Sequence, residues 1–281
     1  MSNALVRVGA RAARQRPLIM GILNVTPDSF SDGGEHNELE AAVAHAVALV
    51  EAGADLIDVG GESTRPGAER VPEGEELERV LPVITELASR GIRVSVDTMR
   101  ASTAKAAVEA GAEIVNDVSG GLADPEMYRT IAATGASYVA MHWRAPSDEM
   151  HTHAVYGDVV TDVRSELKAR VAELIVWGVA PEKIIIDPGI GFSKNAAQNW
   201  SVLGHLDALV TLGCPVLVGV SRKRFLGELL PEDAPAADRD GATAIVSALA
   251  AQAGVWGVRV HDVKGTKFAL DVWSAWEGAR S

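Results

Sequence analysis

The chain has 281 residues, 47% of them hydrophobic, and 38 acidic side chains against 26 basic ones give it a formal net charge of −12. Such a chain can bury one large core, and its negative charge disfavours nucleic acid as a partner. Its single cysteine, Cys214, cannot form an internal disulfide, and no apolar stretch approaches the roughly 18 residues of a membrane span. We therefore expect a cytoplasmic protein that contacts no membrane.

The first 17 residues predict a basic leader ahead of the folded domain. The leader contains no acidic residue and four arginines, namely Arg7, Arg11, Arg14 and Arg16. Basic residues before an apolar run are also typical of a signal or transit peptide, but Gly21 and Asn24 interrupt this run and favour a strand. We expect a mobile leader over residues 1–17 and one domain over residues 18–281.

Eight short apolar runs predict eight strands, and a helical pattern follows each of them. The predicted strands cover residues 18–25, 55–61, 92–98, 113–117, 137–143, 183–189, 214–221 and 256–263. The helical patterns cover residues 38–52, 73–90, 101–110, 124–134, 158–177, 196–212, 240–253 and 264–278. Strict alternation predicts parallel strands, and burial on both faces explains why the runs are almost continuously apolar.

This alternation predicts an α/β fold, a single (β/α)8 TIM barrel. The competing fold is an open, doubly wound sheet that binds a dinucleotide. Its glycine signature fails here, because the one candidate, GIGFSK at residues 189–194, has Lys194 in place of the third glycine.

Polar side chains gather at the carboxyl ends of the predicted strands, where barrel enzymes carry their chemistry. They are Asn24, Asp58, Glu62, Asp97, Asn116, His142, Asp187, Ser221, Lys223, Arg259 and His261. We therefore expect one composite site at this end of the barrel.

Barrel closure brings the first strand beside the eighth and predicts an anion site. Arg259 and His261 are two residues apart and point to the same side, and Asn24 ends the neighbouring strand. A guanidinium, an imidazole and an amide suit an oxyanion, and the amide also suits a metal ion. In the alternative interpretation, Arg259 bridges buried carboxylates and His261 caps a helix.

A second group of side chains, Asp97, Asn116 and Asp187 with Lys223, ends other strands. Such groups suit a flat heterocycle, since a carboxylate matches the amino group and ring N–H of a 2-aminopyrimidinone. A hard metal ion is less favoured, because it gains nothing from an ammonium neighbour. An internal network that only braces the barrel is the remaining alternative.

Two loops follow the first and second strands, at residues 23–34 and 61–71. Both combine turn-forming residues with hydroxyl side chains, and the second adds Arg65. Loops in this position commonly close over a substrate. Other conspicuous residues have simpler explanations: Cys214 begins a strand at the opposite rim, and Trp273 and Trp276 fit helix packing or a subunit contact. His142 receives no assignment.

The short motifs of this sequence, taken in order, resemble those of a known family. LNVTPDSFSDGG, DVGGESTRPGA, SVDT, NDVSGG, MHWR, DPGIGF, SRKRF and RVHDV occur in the order typical of the dihydropteroate synthases, from about residue 18 to residue 270. The chain resembles this family, and its actinobacterial branch in particular. The series is highly specific, although each motif alone is not.

The resemblance implies roles for individual residues. The pterin-binding residues would be Asp97, Asn116, Asp187 and Lys223, with Met141, Phe192 and Gly219 as pocket walls. The diphosphate would contact Asn24, Arg259 and His261, and Asn24 would also bind Mg²⁺. The p-aminobenzoate region would contain Phe30, Thr64, Arg65, Pro66 and Ser221. The residues closest to the chemistry would be Asp97, Lys223, Arg259 and His261.

The resemblance also implies an activity: joining 6-hydroxymethyl-7,8-dihydropterin diphosphate to p-aminobenzoate, with early loss of diphosphate, in folate biosynthesis. It implies Mg²⁺ as cofactor and a homodimer. A methyltetrahydrofolate methyltransferase would share the pterin-binding barrel, and a catalytically silent pterin-binding paralogue would keep it without the loops. Both alternatives are disfavoured because the diphosphate site and both loops are intact.

Overall fold

The computed structural model describes residues 16–26, 34–62, 71–145 and 152–280, with the side chains of residues 34–37 left out. Its eight strands, β1 to β8, are Leu18–Asn24, Leu56–Gly60, Val94–Asp97, Ile114–Asp117, Ser137–Met141, Ile184–Asp187, Leu217–Val218 and Gly257–Val260. All are parallel, in the order β6-β5-β4-β3-β2-β1-β8-β7. A single bridge between Ile186 and Val216 joins the two end strands. The predicted eight-stranded barrel is therefore confirmed.

Ten α-helices, α1 to α10, lie within the described ranges. They are Gly34–Glu51, Glu73–Ser89, Ala101–Glu109, Met127–Thr134, Val159–Val176, Ala196–Gly204, Leu206–Val210, Arg224–Gly227, Asp240–Gln252 and Val263–Gly278. Short 3-10 helices cover Pro181–Lys183 and Ala236–Arg239. No helix in these ranges is long and apolar enough to cross a membrane.

Two sequence-based boundaries were wrong. The predicted helix over residues 196–212 is two helices, because His205 leaves the helical region with φ −129° and ψ 35°. The predicted strand over residues 214–221 shrinks to the two residues of β7, and Cys214 lies before that strand. A short helix, α8, follows it and was not predicted.

The barrel interior has an apolar floor directly beneath its polar rim. The floor consists of Met20, Leu56, Ile114, Val139, Ile185 and Leu217. Side chains two residues apart on a strand point to the same side. The next inward positions after four of these are Asp58, Asn116, Met141 and Asp187, all of them buried. A larger core between the barrel and its helices holds most of the remaining apolar side chains.

The predicted leader is only partly covered. Residues 1–15 lie outside the described residues. Within the predicted leader, Arg16 contacts the domain, because its guanidinium nitrogens donate to the carboxylate of Asp55 at 2.6 and 3.0 Å. The same carboxylate accepts the backbone N–H of Ile19 at 2.7 Å, so the chain is anchored where β1 begins.

Candidate active site

One half of the site is a buried charge network. Asp58 accepts hydrogen bonds from Asn116 Nδ2 at 2.9 Å and from Arg259 Nε at 2.6 Å. A second guanidinium nitrogen of Arg259 donates to Asp97 at 2.8 Å. Asp58 is 0% exposed and Asp97 is 7% exposed, so these contacts form away from water. Arg259 therefore bridges two buried carboxylates, as in the alternative interpretation of the sequence.

Burial and the charges of this network shift the pKa values of Asp97 and Arg259. Burial raises the pKa of Asp97 to about 7, against the opposing effect of Arg259, and Asp58 raises it further. Burial alone would lower the pKa of Arg259, but the carboxylates of Asp58 and Asp97 outweigh it and raise that pKa above its ordinary value. The charge of Arg259 thus offsets part of the effect of burial on Asp97.

Asn24, Gly60 and Asp97 end β1, β2 and β3 in lateral register. A Cβ atom at position 60 would lie 3.4 Å from Asp97 Cβ and 3.9 Å from Asn24 Oδ1. Any side chain there would fill the space between the amide oxygen and the carboxylate. Glycine keeps this space open, and the amide oxygen of Asn24 borders it.

The other half of the site joins β6 to the loop after β7. Asp187 is buried and accepts the backbone N–H of Gly189 at 2.7 Å. Lys223 donates to the carbonyl of Ile190, and its Nζ lies 4.5 Å from the centre of the Phe192 ring. Burial lowers the pKa of Lys223 to about 8, opposed by the charge of Asp187. Burial raises the pKa of Asp187, opposed first by Lys223.

Gly219 and Met141, the other predicted pocket walls, lie beside Asp187. Met141 pairs with Asp187 across β5 and β6. A Cβ atom at position 219 would lie 3.8 Å from Asp187 Oδ2 and 3.9 Å from Arg259 Cβ, in the gap between the two halves of the site. Gly219 and Met141 therefore lie next to Asp187, and Gly219 also adjoins Arg259 of the other half.

Ser221 and His261 contact each other, although the resemblance placed them in different subsites. Ser221 Oγ lies 2.9 Å from His261 Nδ1 and accepts the backbone N–H of His261 at 3.1 Å. The alternative in which His261 caps a helix is wrong. Asp262 caps α10 instead, because its carboxylate accepts the N–H of Gly265 at 3.0 Å.

The remaining p-aminobenzoate residues of the prediction, namely Phe30, Thr64, Arg65 and Pro66, lie outside the described residues. Of the residues set aside, burial raises the pKa of the Cys214 thiol, which fits an unreactive cysteine. Trp273 packs against the core and Trp276 is 69% exposed.

Sequence reasoning missed two buried charged side chains beside this site. Asp58 received no role, although a lone aspartate between apolar neighbours on a strand is itself a signal of an inward charge. Lys194 was treated only as a failed glycine. It is 7% exposed and contacts His142, the residue left unassigned.

A parallel barrel with acids, a lysine and an arginine at the carboxyl ends of its strands has the architecture of a barrel enzyme. A model of the family described as "Pterin binding enzyme" matches residues 20–261 of the chain. Fold and family thus agree on a barrel that binds a pterin.

Comparison with individual relatives shows which kind of pterin-binding enzyme this chain is. The dihydropteroate synthase of Mycobacterium leprae is 51% identical over 263 residues, covering 92% of this chain and 93% of that protein. The Bacillus subtilis enzyme is 45% identical and covers 91% of this chain and 87% of that protein. The chain therefore belongs to the pterin-binding enzymes and, within them, to the dihydropteroate synthases, transferases of folate biosynthesis. The resemblance to the actinobacterial branch is also confirmed.

Solved structures of dihydropteroate synthases have the same fold as this chain. Dihydropteroate synthase of Xanthomonas albilineans with 4-aminobenzoic acid superposes with a TM-score of 0.87 at 45% identity, covering 93% of each chain. The same enzyme in complex with 7,8-dihydropteroate gives a TM-score of 0.84 at 43% identity, covering 96% of this chain and 97% of the other.

Proposed function

We propose that this chain condenses 6-hydroxymethyl-7,8-dihydropterin diphosphate with p-aminobenzoate to give 7,8-dihydropteroate and diphosphate. The observation that carries this proposal is the division of one space into two charged halves. Asp187 and Lys223 line one side, and Arg259 with its two carboxylates lines the other. A substrate that combines a donor-rich ring with an anionic leaving group matches such a division.

The pterin ring binds, in this proposal, between the two halves. The carboxylate of Asp187 accepts the 2-amino group and the adjacent ring N–H as a paired hydrogen bond. Asn116 and Asp97 face the ring from β4 and β3, and Phe192 covers one face. Asp97 has a pKa near neutrality, so it can balance positive charge that develops on the ring.

The diphosphate binds at the ends of β1 and β8. Arg259 uses Nε and Nη2 for its two carboxylates, which leaves Nη1 for a phosphate oxygen. The imidazole of His261 and the amide of Asn24 complete this end. Because charge builds on the leaving oxygen as its bond breaks, fixed donors here stabilise the transition state.

Mg²⁺ fits this end as an ion bound jointly by protein and substrate. The space that Gly60 keeps open exposes the hard oxygen of Asn24 beside a carboxylate. Within the described ranges, no group of three His, Cys, Asp or Glu side chains could hold a metal alone. Mg²⁺ typically takes one or two protein oxygens and completes its shell with phosphates and water. When bound, it would neutralise charge on the diphosphate.

p-Aminobenzoate enters beside Ser221, in this proposal, and the two loops with Phe30, Thr64, Arg65 and Pro66 complete its pocket. The bond between the pterin methylene carbon and the leaving oxygen breaks early, and its electron pair departs with diphosphate. The aniline nitrogen then donates its lone pair to that carbon and loses a proton. No covalent enzyme intermediate is needed.

The test is a coupled assay for diphosphate release from the pterin substrate, with and without p-aminobenzoate. Release that depends on p-aminobenzoate and yields dihydropteroate supports the proposal. A chain that binds the pterin yet releases no diphosphate is a silent paralogue. Methyl transfer from methyltetrahydrofolate would favour the methyltransferase alternative.

A second copy of this chain is the partner we propose, bound through α9 and α10. These two helices pack together and leave five large apolar side chains exposed, namely Ile245, Leu249, Phe268, Val272 and Trp276. They are spaced four residues apart on each helix, so they form two adjacent apolar stripes. The lone half-buried cysteine further supports a reducing compartment, the cytoplasm, as the location.

Sedimentation analysis of Phe268→Asp tests the dimer. A charge in the centre of the stripes should convert a dimeric wild type to monomers. Val176→Asp is the matched control, because Val176 is 85% exposed on α5, away from both helices. A monomeric wild type, or a dimer that survives Phe268→Asp, would contradict the proposed interface.

A further inference from the structure

The loop between β6 and α6 is held by a buried lysine that has no role in the proposed reaction. Lys194 Nζ lies 3.0 Å from His142 Nδ1 and donates to the carbonyls of Gly189 and Phe192, each at 3.1 Å. An ammonium group has three N–H donors, and here it meets three acceptors. Each of them belongs to a segment that lines the predicted pterin pocket or adjoins it.

The histidine partner is itself fixed. His142 follows Met141 at the end of β5, and its Nε2 lies 2.9 Å from Glu166 on α5. Burial lowers the pKa of His142 to about 4, so the ring is neutral near pH 7. A neutral ring with Nε2–H donating to Glu166 offers Nδ1 as the acceptor for Lys194. Arg144 also binds Glu166, which fixes the carboxylate from its other side.

Side chains supply most of the hydrogen bonds of this loop. In addition to the two carbonyls held by Lys194, Lys223 binds the carbonyl of Ile190, and Tyr156 donates to that of Ser193 at 2.9 Å. Ser193 adopts φ 47°, the left-handed region that is costly for any residue but glycine. The loop therefore keeps its shape because side-chain donors hold its carbonyls, and Lys194 supplies two of those donors.

We infer that Lys194, supported by His142, is a positioning residue for pterin recognition: its ammonium fixes the 189–193 loop and thereby the Phe192 wall and the surroundings of Asp187. This inference rests on the proposed function, because it takes a pterin as the ligand. Lys194 itself touches no substrate in this scheme.

The number of N–H donors on Lys194 changes with its protonation, so pterin affinity should depend on pH. A deprotonated Lys194 has two donors for three acceptors and must release one of them. Burial lowers the pKa of Lys194 to about 7, with Asp187 and Glu166 opposing this shift and Lys223 and Arg144 adding to it. Pterin binding requires the fixed loop, so it favours the protonated lysine and draws in a proton near pH 7.

Lys194→Met is the principal variant, since it retains length and apolar volume but removes all three donors. Calorimetry with a pterin that lacks diphosphate should show at least a tenfold weaker affinity at pH 7, while affinity for magnesium diphosphate stays within twofold. Lys168→Met, an exposed change on α5, is the matched control and should alter neither. Repeating the titration in buffers of different ionisation enthalpy should show proton uptake in the wild type that is reduced in Lys194→Met.

Two changes at His142 separate positioning from simple destabilisation. His142→Asn keeps an acceptor near the Nδ1 position, and His142→Leu does not, so Asn should retain more pterin affinity than Leu. If Lys194→Met fails to fold, this pair decides the matter.

The outcomes are distinct. A folded Lys194→Met that binds pterin within twofold of the wild type overturns the inference and leaves the proposed function intact. Equal pterin affinity of His142→Asn and His142→Leu does the same. A wild type that binds no pterin overturns both.

Discussion

Arg259 and Asp58 are 201 residues apart in the chain, yet Arg259 Nε lies 2.6 Å from Asp58 Oδ2 inside the barrel. Asp97 shares the same guanidinium, so two buried acids depend on one cation. A group that we propose as part of the diphosphate end is therefore also a structural ion pair. Removal of Arg259 should therefore affect both the stability of the fold and the binding of diphosphate.

Arg259→Met should lower the free energy of unfolding by roughly 3–5 kcal/mol, the usual cost of leaving a buried charge unpaired. Urea denaturation measures this loss. Arg90→Met is the control, because Arg90 pairs with Glu86 on the surface of α2, where such pairs contribute at most about 1 kcal/mol. Equal losses in the two variants would show that the buried network does not stabilise the barrel.

Asp187→Asn should weaken pterin binding by at least about 2 kcal/mol, because the amide places a donor opposite a ring donor while Oδ1 can still accept the N–H of Gly189. Calorimetry with a diphosphate-free pterin measures the change. Asp207→Asn, an exposed substitution on α7, should leave the affinity unchanged. Unaltered affinity of Asp187→Asn would remove Asp187 from the pterin site.

His261→Ala should weaken magnesium diphosphate binding by about 1.5–3 kcal/mol, as expected for loss of a hydrogen bond to a charged group, and should spare the diphosphate-free pterin. His261 complements Arg259 as a probe, because Arg259 is hydrogen-bonded to two buried acids, whereas the ring of His261 contacts Ser221. The exposed His205→Ala serves as the control. If both ligands weaken equally, His261 braces the rim and does not bind the anion.

His142 should make the protein sensitive to acid. Its pKa falls from 6.5 to about 4 in the folded protein, first because of burial, so between these values the unfolded chain binds a proton that the folded chain does not. Stability therefore decreases as the pH falls through this window. His142→Gln should abolish about 2 kcal/mol of the loss between pH 7 and pH 5, measured by urea denaturation at both values. A wild type and variant that lose stability in parallel would contradict this origin.

The barrel was predictable from the sequence, because the apolar runs of the strands and the helical patterns between them are each set by residues close together in the chain. Strict alternation with helices required parallel strands, and the positions of Asp97, Asn116 and Asp187 at the ends of their strands predicted that they lie at one rim of the barrel. Barrel closure then predicted that Asn24 lies near Arg259. These inferences depend on backbone geometry, which repeats from one barrel to the next.

Side-chain partners were not predictable in the same way. The sequence offered a bridge from Arg259 to buried carboxylates as an alternative, but it did not identify Asp58 and Asp97 as the partners. It also did not show that Lys194 has three acceptors, because such contacts depend on rotamers and on loops from distant parts of the chain. The break at His205 has a different explanation. Gly204, directly before it, disfavours a helix interior and is a local signal that one continuous helix over residues 196–212 overlooks.

The brevity of β7 has a consequence for how the barrel opens. Because a two-residue strand and one bridge join β6 to β7, few backbone hydrogen bonds close this seam, and its amides should exchange with solvent earlier than those of β1 or β2. Asp187 lies on one side of the seam and Lys223 beyond the other. A pterin that contacts both residues would link β6 to the segment after β7, so the bound substrate would strengthen the closure of the barrel at this seam.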